Sequence, residues 1–193
     1  MTRNGKRQES GFTLVELMIT VAIIGILSAT SIALFRDQQL RSKRTEGMTN
    51  IEAIAKMARG YFGEAGIYPG IGGSWPAAPL TPAQEQWDAG ATAAFGTIGF
   101  RAEGAVRYRY DLDGEFECPC ANNDCFTVVG FSDLEGDGFP GGVGYFHRDG
   151  AGVECPTSIL GWIAPLDAGG TAVYDSAAAY LKFPGVPLAA DDY

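Results

Sequence analysis

The stretch "GFTLVELMITVAIIGILSATSIALF", Gly11 to Phe35, decides how the rest of the chain is read. Glu16 is its only charged residue. From Leu17 to Phe35, a helix rising about 1.5 Å per residue covers roughly 28 Å, close to the thickness of a bilayer's hydrocarbon core. A carboxylate inside such a segment is costly, by about 2.5 to 3.5 kcal/mol on insertion scales, so it points to a partner and a function.

Outward from this run, charge is distributed unevenly along a chain of 193 residues and net charge −9. That length predicts one head on one anchor. Ahead of the run, Arg3, Lys6 and Arg7 stand against Glu9; behind it, Arg36, Arg41, Lys43 and Arg44 face only Asp37, a basic collar suited to lipid phosphates or acidic neighbours. The two flanks are too similar in Lys and Arg for the positive-inside rule to orient the segment. Residues 45–193 hold seven basic and twenty acidic side chains, about −13, which disfavours general nucleic-acid binding. Arg101, Arg107 and Arg109 read more simply as the wet face of a strand. All four cysteines, Cys118, Cys120, Cys125 and Cys155, lie in this acidic part, as expected of an exported head outside the cytoplasm.

The basic N-terminus looks like the start of a secretion signal, but no small-residue cleavage site follows the apolar run, which predicts that the run is retained. The segment "KRQESGFTLVELMITVAIIGIL" resembles the N-terminus of type IV prepilins and pseudopilins, through Gly11, Phe12, Thr13, Leu14, Glu16 and Gly25. The resemblance implies a leader peptide, residues 1–11, removed by a prepilin peptidase on the cytoplasmic side. It also implies N-methylation of Phe12 and packing of the retained helix, residues 12–35, into a filament core. In that family the glutamate, here Glu16, pairs with the terminal amine of a neighbouring subunit. Physical chemistry agrees with the pairing: an α-amine has an ordinary pKa near 8, and two charges in an apolar core are tolerable only if they neutralise each other. Glu16 lies about 6 Å along the axis from Phe12, so a subunit does not easily satisfy its own pair. The alternative is a plain single-span anchor whose Glu16 snorkels to the interface. Ala33 stands where most type IV pilins carry proline, a departure that suits a minor pilin or pseudopilin. Ser28, Thr30 and Ser31 can bond back to preceding carbonyls.

Beyond the collar, Leu40, Met48, Ile51, Ile54, Ala55, Ala58, Tyr61 and Phe62 recur at three- and four-residue steps and predict an amphipathic continuation over residues 36–63, ending near Gly63 or Gly66. The head, residues 64–193, opens with a connection rich in Gly, Ala and Pro that extends to residue 105. A short helix is expected there from Thr81-Pro82-Ala83-Gln84, read as cap, first-turn proline and glutamine ahead of Trp87. Val106, Tyr108, Tyr110 and Leu112 alternate with Arg107, Arg109 and Asp111 and predict one strand, with further strands at Phe126–Phe131 and Val143–Phe146. Asp113-Gly114, Asp137-Gly138 and Asp149-Gly150 read as strand-end turns, and "FPGVPLAADDY" as a loosely held terminus.

The four cysteines predict two disulfides. Bridging Cys118 to Cys120 across one proline is geometrically unfavourable, which leaves 118–125 with 120–155, or 118–155 with 120–125. A four-thiolate zinc site is the rival, disfavoured by irregular spacing. Asp133, Glu135 and Asp137, in "SDLEGDGFPGG", are spaced to point carboxylates at one hard cation, a possible structural calcium, against the plainer reading of a solvated acidic turn. No EF-hand pattern completes them. Catalysis has little support: the single histidine, His147, has no accompanying nucleophile or phosphate-loop pattern.

The fold expected is α+β: a long N-terminal helix, half transmembrane and half amphipathic, packed against an antiparallel β-sheet head, as in type IV pilins. The resemblance implies a structural subunit, not an enzyme, with no cofactor. It would be made as a single-pass precursor in a bacterial inner membrane and assembled with other pilin subunits, as a homo- or hetero-polymer, by inner-membrane machinery. Adhesion, surface motility, DNA uptake or, for a pseudopilin, type II secretion would follow. A membrane-anchored, calcium-dependent adhesin without a filament is the competing class.

Overall fold

The computed structural model describes residues 11–77, 79–114, 118–120, 123–138, 141–156, 172, 174, 175 and 177–180, with the backbone alone at 33 and 178–180. Residues 1–10 of the expected leader and the tail "FPGVPLAADDY" lie outside the described residues. The first element is α1 (Leu14–Ala65), which runs through two compact units, Met1–Gln39 and Leu40–Tyr193.

In the first unit, residues 17–35 of α1 carry no charge, and the large apolar side chains from Phe12 to Phe35 are open to the surroundings: Phe12 is 81 % exposed, and Ile23, the least exposed of them, still 52 %. The segment is long and apolar enough to cross a membrane. Its hydroxyls are satisfied within the helix. Thr20 donates to the Leu17 carbonyl (2.9 Å), Ser28 to Ile24 (2.7 Å), and Thr30 and Ser31 to Leu27 (3.0 and 2.8 Å). Each would otherwise be a polar group stranded in hydrocarbon.

In the second unit the same helix becomes one-sided. Gly47, Ile51, Ile54, Ala55 and Ala58 are buried, while Glu52, Lys56 and Arg59 face outward. The helix stops where Gly66, at φ 75°, donates its N–H to the Phe62 carbonyl (2.8 Å), a left-handed cap that glycine adopts without steric penalty. Its buried face packs on a four-stranded antiparallel sheet of order β3 (Arg109–Asp113), β4 (Phe126–Ser132), β5 (Gly141–His147) and β6 (Ala178–Tyr180). The register sets Arg109 opposite Phe131, Phe126 opposite His147 and Gly142 opposite Tyr180. With a side-chain period of two, Tyr110, Leu112, Phe126, Val128, Val143 and Tyr145 share a core with Ile51 and Ile54. Two glycines permit the close approach. A Cβ on Gly47 would fall 2.8 Å from the Tyr108 ring, and one on Gly130 would fall 3.1 Å from Ile51 Cδ1. Burial pushes the Tyr108 and Tyr110 phenols far above the ordinary tyrosine pKa, and the Tyr110 hydroxyl accepts from Asn50 Nδ2 (2.8 Å).

Several expectations are corrected. The helix predicted from Thr81 is absent: Glu85–Gln86 forms β1, which pairs with β2 (Ala105–Val106), and the helix α2 is Ala89–Gly96. Asp88 is the effective cap, its Oδ1 accepting from Ala91 N (2.7 Å), because it directly precedes the helix-forming run AGATAAF. α2 delivers Phe95 against Trp87 and Phe100. The single strand expected from Val106 to Leu112 is broken. The Arg107 N–H is taken by Glu46 Oε1 of α1 (2.7 Å), so β2 ends at Val106 and β3 starts at Arg109. Asp111, expected on a wet face, is buried, because the sheet's other face is covered too, with Val129, Phe131 and Phe146 beneath Leu80, Ala172 and Tyr174. Asp113-Gly114 is not a tight hairpin: residues 114–125, with three of the cysteines, separate β3 from β4. Asp149-Gly150 makes a turn after β5, closed by Asp149 N–H to the Val153 carbonyl (2.9 Å). Asp137-Gly138 does lie between β4 and β5. The outer edge of β3 is covered by Trp75, which exchanges two backbone hydrogen bonds with Tyr110 (2.8 and 2.7 Å), removing an unpaired edge.

Candidate assembly site

At the start of α1 the carboxylate that opened the sequence reading has a local role. Glu16 Oε2 accepts from Thr13 N–H (3.1 Å) and from the Thr13 hydroxyl (2.9 Å), while Glu16 N–H donates back to Thr13 Oγ1 (3.2 Å). This reciprocal arrangement is a capping box with Thr13 as N-cap, and it satisfies two of the amides that every helix start leaves without partners. Its signal, Thr-x-x-Glu ahead of an apolar run, stands in the sequence; reading Glu16 only as a misplaced charge passes over it. Glu16 Oε2 carries both Thr13 bonds. Gly11 and Phe12 precede the cap and are exposed.

In the head, the cysteines pair as Cys118–Cys155 and Cys120–Cys125, with Cα separations of 4.7 and 6.0 Å. The four form a buried cluster. The Cys118–Cys155 bridge ties the β3–β4 connection to the chain beyond β5, where the Thr127 hydroxyl also donates to the Cys155 carbonyl.

The acidic turn is organised from within. Asp133 Oδ1 accepts from the N–H groups of Gly136 (2.7 Å) and Asp137 (3.2 Å), and Oδ2 from Gly138 (3.0 Å). Both oxygens of the most buried carboxylate of the trio are thus engaged by the chain's own backbone. Glu135 instead reaches Arg44 of α1 (3.3 Å), tying the turn to the helix. Among the described residues, the only group of three or more candidate ligands lying together is Cys118, Cys125 and Cys155, so Asp133, Glu135 and Asp137 are not brought to one point.

Of the three arginines expected on a wet strand face, Arg101 is exposed, whereas Arg107 and Arg109 are engaged in structure. Arg107 pairs with Glu46 (2.9 Å), and Arg109 donates to the Ser74 hydroxyl (2.7 Å) and lies over the Phe131 ring. His147 packs against Phe126 and Tyr68, and its Nδ1 meets Asp175 Oδ1 (2.6 Å), which Arg59 of α1 also contacts. A structural clasp accounts for these contacts, with Arg59 over Tyr145 as a further tie.

Residues 6–32 match the prokaryotic N-terminal methylation motif. Over 163 residues, 83 % of this chain and 61 % of the relative, the sequence is 29 % identical to the type IV major pilin protein PilA of Myxococcus xanthus. It is 30 % identical to the type IV major pilin protein PilE1 of Neisseria gonorrhoeae over 47 % of this chain and 42 % of that one. To the type IV major fimbrial protein FimA of Dichelobacter nodosus it is 52 % identical over 25 % of this chain and 31 % of that one. The chain thus spans about three fifths of the length of the first of these relatives and less of the others. No solved structure matches it.

Proposed function

We infer that this chain, which belongs to the type IV pilin family by its N-terminal motif and its relatives, is a structural subunit of a type IV pilus. It is made as a membrane-inserted precursor, cleaved after Gly11 by a prepilin peptidase and methylated on Phe12. The observation that carries this reading is the first unit of α1: a helix stretch whose large apolar side chains from Phe12 to Phe35 are all more than half exposed, with one carboxylate at its start. An apolar surface of that extent needs lipid or other copies around it. A helix that is retained after cleavage uses lipid first and neighbouring subunits afterwards. Inner-membrane assembly machinery extracts it, and the filament serves adhesion or surface motility. In the assembled core, Glu16 faces the Phe12 amine of an adjacent copy, and the capping box holds the carboxylate at the helix start where that amine arrives.

Two other readings use the same anchor. A type II secretion pseudopilin would also be processed at Gly11 and assembled, and the alanine at position 33 suits it. A membrane-anchored calcium-dependent adhesin would need the acidic turn as its site, and there the Asp133 oxygens are already hydrogen-bonded to Gly136, Asp137 and Gly138. The deciding experiment is mass spectrometry of sheared surface filaments. An abundant chain beginning with N-methylated Phe12 is the expected result. A processed chain found only in the membrane fraction would favour the pseudopilin, and an unprocessed chain beginning at Met1 would overturn the proposal.

A further inference from the structure

The two disulfides do not stand apart. The sulfurs of Cys118, Cys125 and Cys155 all lie within 4.8 Å of one another, so Cys125, bonded to Cys120, is also a neighbour of both sulfurs of the other bridge. The cluster is layered as well: Cys118 and Cys120 retain some exposure, at 9 % and 5 %, whereas Cys125 and Cys155 have none. Each bridge therefore joins one slightly exposed, outer cysteine to one fully buried, inner cysteine. We propose that the cluster is a thiol–disulfide exchange centre in which the two inner cysteines, Cys125 and Cys155, bond to each other when either native bridge is opened, leaving Cys118 and Cys120 as the free thiols.

The chemistry balances by two routes that converge. A dithiol reductant attacks the sulfur it can reach. At Cys120 this forms a mixed disulfide and expels Cys125 as thiolate. The second thiol of the reductant then releases Cys120 and leaves as the reductant's own disulfide, so two electrons pass to the protein. The Cys125 thiolate attacks Cys155 Sγ. A Cys125–Cys155 bond forms, the Cys118–Cys155 bond breaks, and Cys118 leaves as thiolate and takes up a proton. In the second route the reductant attacks Cys118 and frees Cys155, whose thiolate attacks Cys125 Sγ and expels Cys120. The exchange step itself consumes no electrons. Its direction follows from solvation: an inner thiolate is buried without water, and exchange moves the charge to an outer sulfur. Cys118 and Cys120, separated only by Pro119, do not readily re-close on each other. The half-reduced head thus keeps the segment after β5 tied to the β3–β4 connection while presenting two thiols at the rim.

The test is limited reduction of the full chain in detergent micelles with less than one equivalent of dithiothreitol, followed by acid quench, alkylation and peptide mapping. The expected result for the two-electron-reduced species is label on Cys118 and Cys120, with a Cys125–Cys155 cross-link and both native cross-links lost. Label on Cys120 and Cys125, label on Cys118 and Cys155, or passage straight to four labelled cysteines would each overturn the proposal. The variant Cys120→Ser, purified without reductant, gives a second reading from a chain with one thiol too few to pair. Its free thiol should be gained at Cys118 and lost from Cys125, and a free thiol confined to Cys125 would refute exchange.

Discussion

α1 is one helix that meets two environments, and the two halves differ in what they leave unfinished. From Leu40 onward, Ile51, Ile54, Ala55 and Ala58 are buried, while Glu52, Lys56 and Arg59 face outward. Before that, Ile19, Ile23, Ile24 and Ile26 are each more than half exposed, and nothing among the described residues covers them. The head half is therefore a folding problem that the chain solves alone. On the proposed function, the N-terminal half is completed by lipid or by neighbouring copies. The difference also shows in how charges are held: Glu46 is met by Arg107 from the connection between β2 and β3, whereas Glu16 is met by Thr13, the cap of its own helix.

The largest effect expected from breaking this contrast is at Glu16. Glu16→Ala removes the charge and one arm of the capping box together, while Glu16→Gln removes the charge and keeps an arm that glutamine can also supply. If the carboxylate neutralises a neighbour's amine, both variants insert and are cleaved normally but fail to enter filaments. The loss should exceed a hundredfold relative to the membrane fraction, since leaving one member of a buried pair uncompensated costs about 3 to 5 kcal/mol. Normal incorporation of the glutamine variant beside failure of the alanine variant would assign the requirement to the cap instead.

Next comes the same substitution in the two halves. Ile54→Ala opens a cavity under the sheet and should destabilise the head by about 2 to 5 kcal/mol. Ile24→Ala removes an equal side chain from a surface that the chain does not cover, and should leave head unfolding unchanged while weakening filaments. Denaturant titration of the full chain in micelles, followed by tryptophan fluorescence, compares them. Equal destabilisation by both would mean that the N-terminal half has a covering partner within the chain.

How much of this was legible in the sequence depends on whether a feature is local. The run from Gly11 to Phe35 and the three- and four-residue steps from Met48 to Phe62 are single-helix periodicities, and they are visible because side-chain direction along a helix is set by spacing alone. β4 and β5 are legible for a different local reason: they are short runs rich in aromatic and β-branched residues, buried almost throughout. The break between β2 and β3 is not, because it is made by Glu46, 61 residues earlier, taking the Arg107 amide. The buried Asp111 is equally non-local: only the cover over the second face of the sheet distinguishes it from a solvated residue. Spacing leaves two disulfide pairings open. The cluster geometry gives the reason, since three of the four sulfurs are within reach of one another.

The bridges give a third comparison, inside the head. Cys118–Cys155 spans 37 residues and Cys120–Cys125 only 5. By the chain-entropy argument, removing the long bridge should cost the head about 4 kcal/mol and removing the short one about 2 kcal/mol. The double variants Cys118→Ser/Cys155→Ser and Cys120→Ser/Cys125→Ser leave no partner free to exchange, so their denaturant midpoints can be compared directly. A short bridge that mattered more than the long one would place its contribution in native packing around the buried Cys125 rather than in the unfolded chain.

The smallest effect expected is at the two helix caps. Asp88 and Thr13 do similar work, each side-chain oxygen accepting a backbone N–H at a helix start, from Ala91 and Glu16 respectively. Only Asp88, itself exposed, caps a helix that reaches the packed core, because α2 carries Phe95 against Trp87 and Phe100. Asp88→Ala should therefore lower head stability by about 1 kcal/mol, the usual worth of such a cap, whereas Asp88→Asn, which keeps the accepting oxygen, should lose less. Thr13→Ala should leave head stability where it was, since fraying the first turn of α1 uncovers nothing the head has buried. If Glu16 neutralises a neighbour's amine, the effect falls on assembly, because an uncapped first turn would let Glu16 wander from the place where that amine arrives. Filament yield should fall for Thr13→Ala and recover with Thr13→Ser, which restores the hydroxyl. If serine fails to rescue, the methyl group of Thr13 rather than its hydroxyl is what the filament core requires.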